Sequence, residues 1–337
     1  MMNKRLKQGS TFLLAVALTF PLLTLPSAKA ASAINTGQKC SIEFDISGNS
    51  SELLSASIPV NLYKVASVDE SGNYTGIGAF SKLDLSSVSA DNLDAAAATW
   101  AERAAEAKKL LKDDTEPTTT TLTQGRGTAT GLDTGLYLVD TPKVITPNYT
   151  YTFTPYLVSL PTNNYYSGNG ASDDWIYDLT KEYNSAVGLK PEQHVRYGNL
   201  VINKELVDHN ATFGNNATFV FQIDITTLDE KKETRIEELT FSAAGNDSVT
   251  ITKIPAGSHV KVTEVYSGAS YELASAKSQK TDIIANPEKK SEVEFRPAEV
   301  SFINKHNGRT NGGYGVKNNF KLDENNQYQY TKPAEKN

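Results

Sequence analysis

The stretch VKVTEVY, residues 260–266, decides how this chain folds. Its apolar residues alternate, which is the period of a β-strand with one face turned to a core. Val260, Val262, Glu264 and Tyr266 fall on that face. A carboxylate therefore stands among core residues. A buried charge without a partner is too costly to persist, so its partners must lie in other strands.

Working outward, NLVINKEL (199–206), ATFVFQIDIT (217–226), DSVTITKIPAGSHVKVTEVY (247–266), KSEVEFRP (290–297) and EVSFINK (299–305) read as further strands. Short strands separated by Gly, Asn and Pro turns predict a β-sandwich over residues 199–307. The same count of alternate residues places Lys204 with Leu200, Ile202 and Leu206, and Asn304 with Val300 and Phe302. A lysine, a glutamate and an asparagine thus fall on the apolar sides of three different strands.

Two chemistries fit that trio. In one, Lys204 and Glu264 form a buried ion pair and Asn304 hydrogen-bonds to it. In the other, burial drives Lys204 to a neutral amine, which is a nucleophile, and keeps Glu264 protonated. The acid then donates to the Asn304 carbonyl and relays protons. Attack of the amine on the carboxamide expels ammonia and leaves an amide between two side chains. Strand alternation alone favours the ion pair, since buried pairs are commoner than autocatalytic bonds.

The first half, residues 31–195, is also strand-rich. CSIEFDIS (40–47), IPVNLYKVASV (58–68), GLYLVDT (135–141), YTYTFTPYLVSLP (149–161) and WIYDLT (175–180) read as strands. Between them, an alanine-rich stretch carries Leu93, Ala97, Trp100, Ala104, Ala107 and Leu111 at helical spacing, with Asp91 as N-cap. It predicts a helix over about 91–113. The threonine run 118–121 reads as a loop or an extended edge. Residues 188–198, with Pro191 and Gly198, mark the linker, and 308–337 have too little apolar content to predict regular structure.

The chain has 337 residues and opens with a basic segment (Lys4, Arg5, Lys7), an apolar run from Phe12 to Leu25 and Ala28-Lys29-Ala30. That is the pattern of a secretory signal peptide over residues 1–30. A membrane span needs about 20 uninterrupted apolar residues, and Pro21 and Pro26 break this run. Removing the signal takes four basic residues and no acidic one, leaving 29 basic against 39 acidic and a net charge of −10. Such a surface is unsuited to nucleic-acid phosphates. Cys40 is the single cysteine, so no disulfide can staple this exported chain.

The pattern VINK…IPAGSHVKVTE…FIN, over residues 199–305, resembles the isopeptide-forming Cna B-type domains of Gram-positive surface proteins. It is most similar to the C-terminal domain of streptococcal-type backbone pilins. Ile254-Pro255-Ala256-Gly257, Val262-Thr263-Glu264 and Phe302-Ile303-Asn304 carry the likeness. The resemblance implies that Lys204 and Asn304 are the bonded pair and Glu264 the catalytic acid of a single-turnover crosslink, not of an enzyme. The first half resembles the N-terminal domain of the same pilins through residues 60–66, 135–139, 157–161 and 175–178. The fold expected is all-β: two tandem immunoglobulin-like, Cna B-type sandwiches, the first with a helical insertion.

The resemblance further implies a structural, pilin-like subunit of a surface fibre, exported to the cell wall or pilus. Its partners would be other subunits and a pilus-assembling sortase, and no cofactor is expected. The sortase acceptor lysine would be Lys190 or Lys181, although the family's Y-P-K triplet is absent. So is a sorting signal of the L-P-x-T-G kind, since the sequence closes on YTKPAEKN. A first-domain crosslink is not expected, and Lys64 should carry its ammonium to solvent. The rival function is an adhesin for a host matrix protein or glycan, with Tyr149, Tyr151, Tyr165 and Tyr166 as an aromatic patch. A secreted enzyme is disfavoured by the absence of G-x-S-x-G, H-E-x-x-H and phosphate-loop motifs, and by four scattered histidines (His194, His209, His259, His306).

Overall fold

The computed structural model describes residues 32–90, 97–162, 175–180, 187–210, 216–288, 295–309, 319–322 and 328–331. The chain divides into two units, Met1–Thr146 with Thr150–His194, and Pro147–Tyr149 with Val195–Asn337.

The first unit carries β1 (Cys40–Asp45), the one-turn helix α1 (Ser51–Leu54), β2 (Ile58–Val68), β3 (Tyr74–Gly76), α2 (Ala97–Leu110), β4 (Thr118–Leu122) and β5 (Arg126–Leu132). It continues through β6 (Gly135–Asp140), β7 (Val144–Ile145), β8 (Tyr149–Phe153), β9 (Tyr156–Leu160), β10 (Asp178–Leu179) and β11 (Pro191–Val195). The central sheet runs β3-β2-β6-β9, with β4 also paired to β2. Two three-stranded sheets, β10-β1-β5 and β11-β8-β7, complete it.

Helix α2 lays Ala104 and Ala107, both fully buried, against Leu136 and Leu138 of β6, with Trp100 and Leu157 in the same cluster. Alanine at those positions lets the helix approach the sheet closely. The proposed cap Asp91 and the helix's first expected turn, with Leu93, lie outside the described residues. The threonine run is a strand, β4, held along β2. Cys40 is fully buried in β1, and burial pushes its thiol up to about 12.

The second unit is a sandwich of two four-stranded sheets. Its strands are β12 (Tyr197–Leu206), β13 (Ala217–Thr226), β14 (Lys232–Phe241), β15 (Gly245–Pro255), β16 (His259–Tyr266), β17 (Tyr271–Leu273), β18 (Ser278–Asp282) and β19 (Ala298–His306). One sheet runs β15-β12-β19-β17 and the other β14-β13-β16-β18. The alternation read from the sequence is carried through in burial: Leu200, Ile202, Phe219, Phe221, Ile223, Val260, Val262, Val300 and Phe302 interdigitate in one core. That core excludes water from whatever else the strands point into it.

The first and last strands, β12 and β19, lie side by side and parallel. Gly257, at φ +76°, turns the chain between β15 and β16. At Gly198 a Cβ would run into the Ile284 carbonyl oxygen.

Three expectations need correction. Residues 188–198, read as a linker, are mostly strand, with β11 over Pro191–Val195 and β12 starting at Tyr197. Of the strand read at 290–297, residues 295–297 are irregular, and 289–294 lie outside the described residues. Within 308–337, read as a tail without regular structure, β20 (Asn319–Leu322) and β21 (Tyr328–Thr331) pair as an antiparallel hairpin.

Candidate functional site: a buried lysine, glutamate and asparagine

Lys204 on β12, Asn304 on β19 and Glu264 on β16 all turn into the core of the second unit. Their relative exposures are 1%, 0% and 4%. Two come from one sheet and the third from the sheet facing it, so the cluster spans the sandwich. Lys204 Nζ donates to Glu264 Oε2 at 2.9 Å. It also donates to Asn304 Oδ1. Asn304 Nδ2 donates to Glu264 Oε1 at 2.7 Å. Each of the three side chains therefore touches the other two.

The rest of the enclosure is aromatic. The Lys204 nitrogen stands 4.3 Å from the centroid of the Phe219 ring and 6.0 Å from that of Phe221. Phe221 packs in turn on Phe302, centroid to centroid 5.2 Å. Burial pulls the Lys204 amine below its ordinary range, while the hydrogen bond and charge of Glu264 hold it up. Burial likewise pushes Glu264 above the usual carboxylate range against the pull of Lys204 and Asn304. Both displacements favour the uncharged forms, because a low-dielectric enclosure penalises charge. A proton passed from Nζ to Oε2 leaves a free amine facing a carboxamide.

One detail differs from the expectation drawn from sequence. Glu264 does not face the Asn304 carbonyl. It faces the carboxamide nitrogen, and the carbonyl faces the lysine. The acid's two oxygens thus meet the two nitrogens between which a proton must travel if an amide is exchanged. Alternation could assign the faces but not the carboxamide's rotation. It also could not show that Phe219 and Phe221, on the apolar face of ATFVFQ, would stand over the lysine.

Of the candidate acceptor lysines, Lys190 is in the first unit, exposed and just ahead of β11. Its Nζ lies 5.7 Å from the centroid of the Tyr156 ring, and its carbonyl accepts from Thr154 N at 3.2 Å. Lys181 lies outside the described residues. Lys64 reaches out toward Asp133, 3.8 Å away, and Lys39 pairs with the same carboxylate. The proposed aromatic patch does not form as read. Tyr151 is buried, 2.8 Å from Ser50 Oγ through its hydroxyl, and Tyr165 and Tyr166 lie outside the described residues. Among the described residues no group of His, Cys, Asp and Glu could hold a metal ion, and no helix is long and apolar enough to cross a membrane.

Residues 200–307, which contain all three buried polar groups, match a family described as a domain of unknown function (DUF5979). No curated protein matches the chain. Solved structures similar to it include a major pilin of Streptococcus pyogenes, at 10% identity, 82% of this chain, 99% of the other and a TM-score of 0.25. The minor pilin of Streptococcus agalactiae is 14% identical over 77% of this chain and 86% of its own, with a TM-score of 0.22. The full-length major pilin of Corynebacterium diphtheriae is 12% identical over 74% and 66%, with a TM-score of 0.28. These structural neighbours are Gram-positive pilins. At such scores the architecture described above rests on this chain's own strand order and burial.

Proposed function

We propose that this protein is a structural, pilin-like subunit of an exported surface fibre, and that its second unit locks itself with a Lys204–Asn304 isopeptide bond. The observation that carries the proposal is the closed set of contacts among Lys204, Glu264 and Asn304 inside an aromatic core. Glu264 first takes a proton from Lys204, leaving amine and acid both neutral. The Nζ lone pair adds to Asn304 Cγ. The carboxyl group, its proton turned to Oε1, gives that proton to Nδ2, and the Oε2 of the carboxylate so formed takes one of the two protons from the now cationic Nζ. The Cγ–Nδ2 bond breaks and ammonia leaves. One amide is exchanged for another, with no oxidant, cofactor or water consumed, once per molecule.

The bond suits the position of its strands. It closes a segment of 100 residues between the first and last strands of the unit. By analogy with a disulfide loop of that size, it stabilises through the unfolded state by about 4–5 kcal/mol. Unlike a disulfide it cannot be reduced. A chain with one cysteine thereby obtains a covalent staple, as an exported fibre subunit under tension needs.

The test is the intact mass of the secreted chain. The crosslink makes it lighter than its sequence by one ammonia, and Lys204→Ala or Glu264→Ala restores the full mass. A wild-type chain at full mass would return the three residues to a buried ion pair with an amide partner. The fibre is tested separately: cell-wall extracts should contain detergent-resistant polymers, lost when the acceptor lysine becomes arginine, with Lys190→Arg tried before Lys181→Arg. Monomer alone in native extracts would remove the fibre and leave the crosslink standing.

A further inference from the structure

Resting on the crosslink reading, we infer that Phe219 is a positioning residue: its ring face turns the lone pair of the Lys204 amine toward the Asn304 carboxamide. The nitrogen has three kinds of neighbour. Glu264 Oε2 lies at 2.9 Å, Asn304 Oδ1 accepts a second N–H, and the face of the Phe219 ring lies 4.3 Å away by its centroid. An ammonium has three N–H groups and no acceptor site. Two reach oxygens, and the third side of the nitrogen meets the ring.

An aromatic face is electron-rich, so it attracts N–H and ammonium hydrogens and repels a lone pair. Once Glu264 has taken its proton, the amine keeps two N–H groups and gains a lone pair. Pointing that pair at the ring is the least favourable of its orientations. The ring therefore biases the pair toward the polar side of the site, where the carboxamide waits to be attacked. An aliphatic side chain of equal volume would exclude water as well but would not discriminate between N–H and lone pair.

The ring is also held too firmly to turn aside. Phe219 is fully buried. Phe241 meets it edge-on at 5.7 Å and 81°, and Tyr271 at 5.6 Å and 61°. Tyr271 is fixed in its turn by accepting a hydrogen bond from Asn210 N at 3.0 Å through its hydroxyl. Each strand packed on the amine contributes differently. From β16 comes Glu264, from β19 the uncharged Asn304 and Phe302, and from β13 the two phenylalanines. Glu264 is thus the one ionisable side chain in contact with Nζ among the described residues.

The test replaces Phe219 in the full secreted chain by mono-fluorinated and penta-fluorinated phenylalanine, introduced at that codon during cell-free synthesis. Crosslinking is followed as loss of one ammonia against time and pH. Fluorination drains and then inverts the ring's charge while nearly keeping its shape. The rate at the top of the pH profile should fall stepwise, about tenfold for the penta-fluorinated ring, and the profile should move to lower pH as the ammonium loses its support. An equal maximum rate at an equal pH across the series, with the wild-type chain crosslinking, would overturn the inference and leave the crosslink intact. No ammonia loss in the wild type would remove the crosslink itself. The mono-fluorinated ring, whose volume barely changes, decides the matter if the heavier substitution impairs folding.

Discussion

Lys204 lies opposite Phe302, not opposite Asn304, in the parallel pairing of β12 with β19; Asn304 faces Leu206. Lys204 and Asn304 share a face of one sheet but stand two residues out of register, roughly 6–7 Å along the strand. Only a long side chain leaning along the sheet reaches the carboxamide. Lys204→Arg keeps the reach and the charge but carries a guanidinium that does not deprotonate in proteins. The variant should fold with the full sequence mass, and a loss of ammonia from it would refute the assignment of Lys204 as nucleophile.

Glu264→Gln keeps the shape and one acceptor oxygen but has no acidic proton to exchange, and its NH2 replaces an oxygen that accepts from Lys204 or Asn304. The uncrosslinked variant should lose about 4–5 kcal/mol of unfolding free energy, the entropy term for a loop of this size. Denaturant titration of both chains, with their masses measured in parallel, checks it. A loss below about 1 kcal/mol would mean that strain in the closed form offsets the gain.

The acidity of the pair can be read in a chain that cannot crosslink. Asn304→Ala leaves Lys204 and Glu264 side by side. Glu264 is raised in the folded state, so the folded chain binds more protons there than the unfolded one. Its contribution to stability falls as pH rises from the unfolded value of about 4.3 through the folded one. Lys204 is lowered, so the unfolded chain binds more protons and stability recovers as pH climbs from the folded value toward about 10.4. The variant should therefore show a stability minimum between the two windows. A tight ion pair predicts the reverse, a maximum, and unfolding at a series of pH values separates them.

Much of this site was legible in the sequence because β12, β16 and β19 are central strands with one apolar face. In such strands a polar residue at even spacing has nowhere to go but inward. Strand β14 was missed for the opposite reason. It is an edge strand whose inward positions continue from Phe241 and Leu239 to Glu237, Arg235 and Glu233, where the sandwich opens. Arg235 there reaches the Thr252 carbonyl at 2.9 Å, so a charged side chain does the bridging that an apolar one does deeper in. The hairpin of β20 and β21 escaped because four-residue strands carry too little periodicity to read.

Cys40 gives a prediction for the first unit. Its thiol is buried in β1 and pushed up to about 12, so at pH 8 the native chain holds almost no thiolate. Alkylating reagents should leave the native chain unlabelled and modify it completely in denaturant. Rapid native labelling would show that β1 opens on the timescale of the reaction.

Tension gives the most direct view of what the crosslink changes. In a fibre pulled from both ends, force enters the second unit at β12 and leaves it at β19. With Lys204 joined to Asn304, it passes from one strand to the other through two side chains. The segment between them, which spans a sequence separation of 100, carries none of it, whether folded or not. Without the bond, rupture of the unit releases that segment, about 340 Å of extended chain. Single-molecule stretching should therefore show no step of this length for the wild type and one for Glu264→Gln. A full-length step in a wild-type chain already shown to have lost ammonia would place the covalent link between some other pair of residues. A step shortened by a fixed amount would measure how far along the sequence that other pair lies.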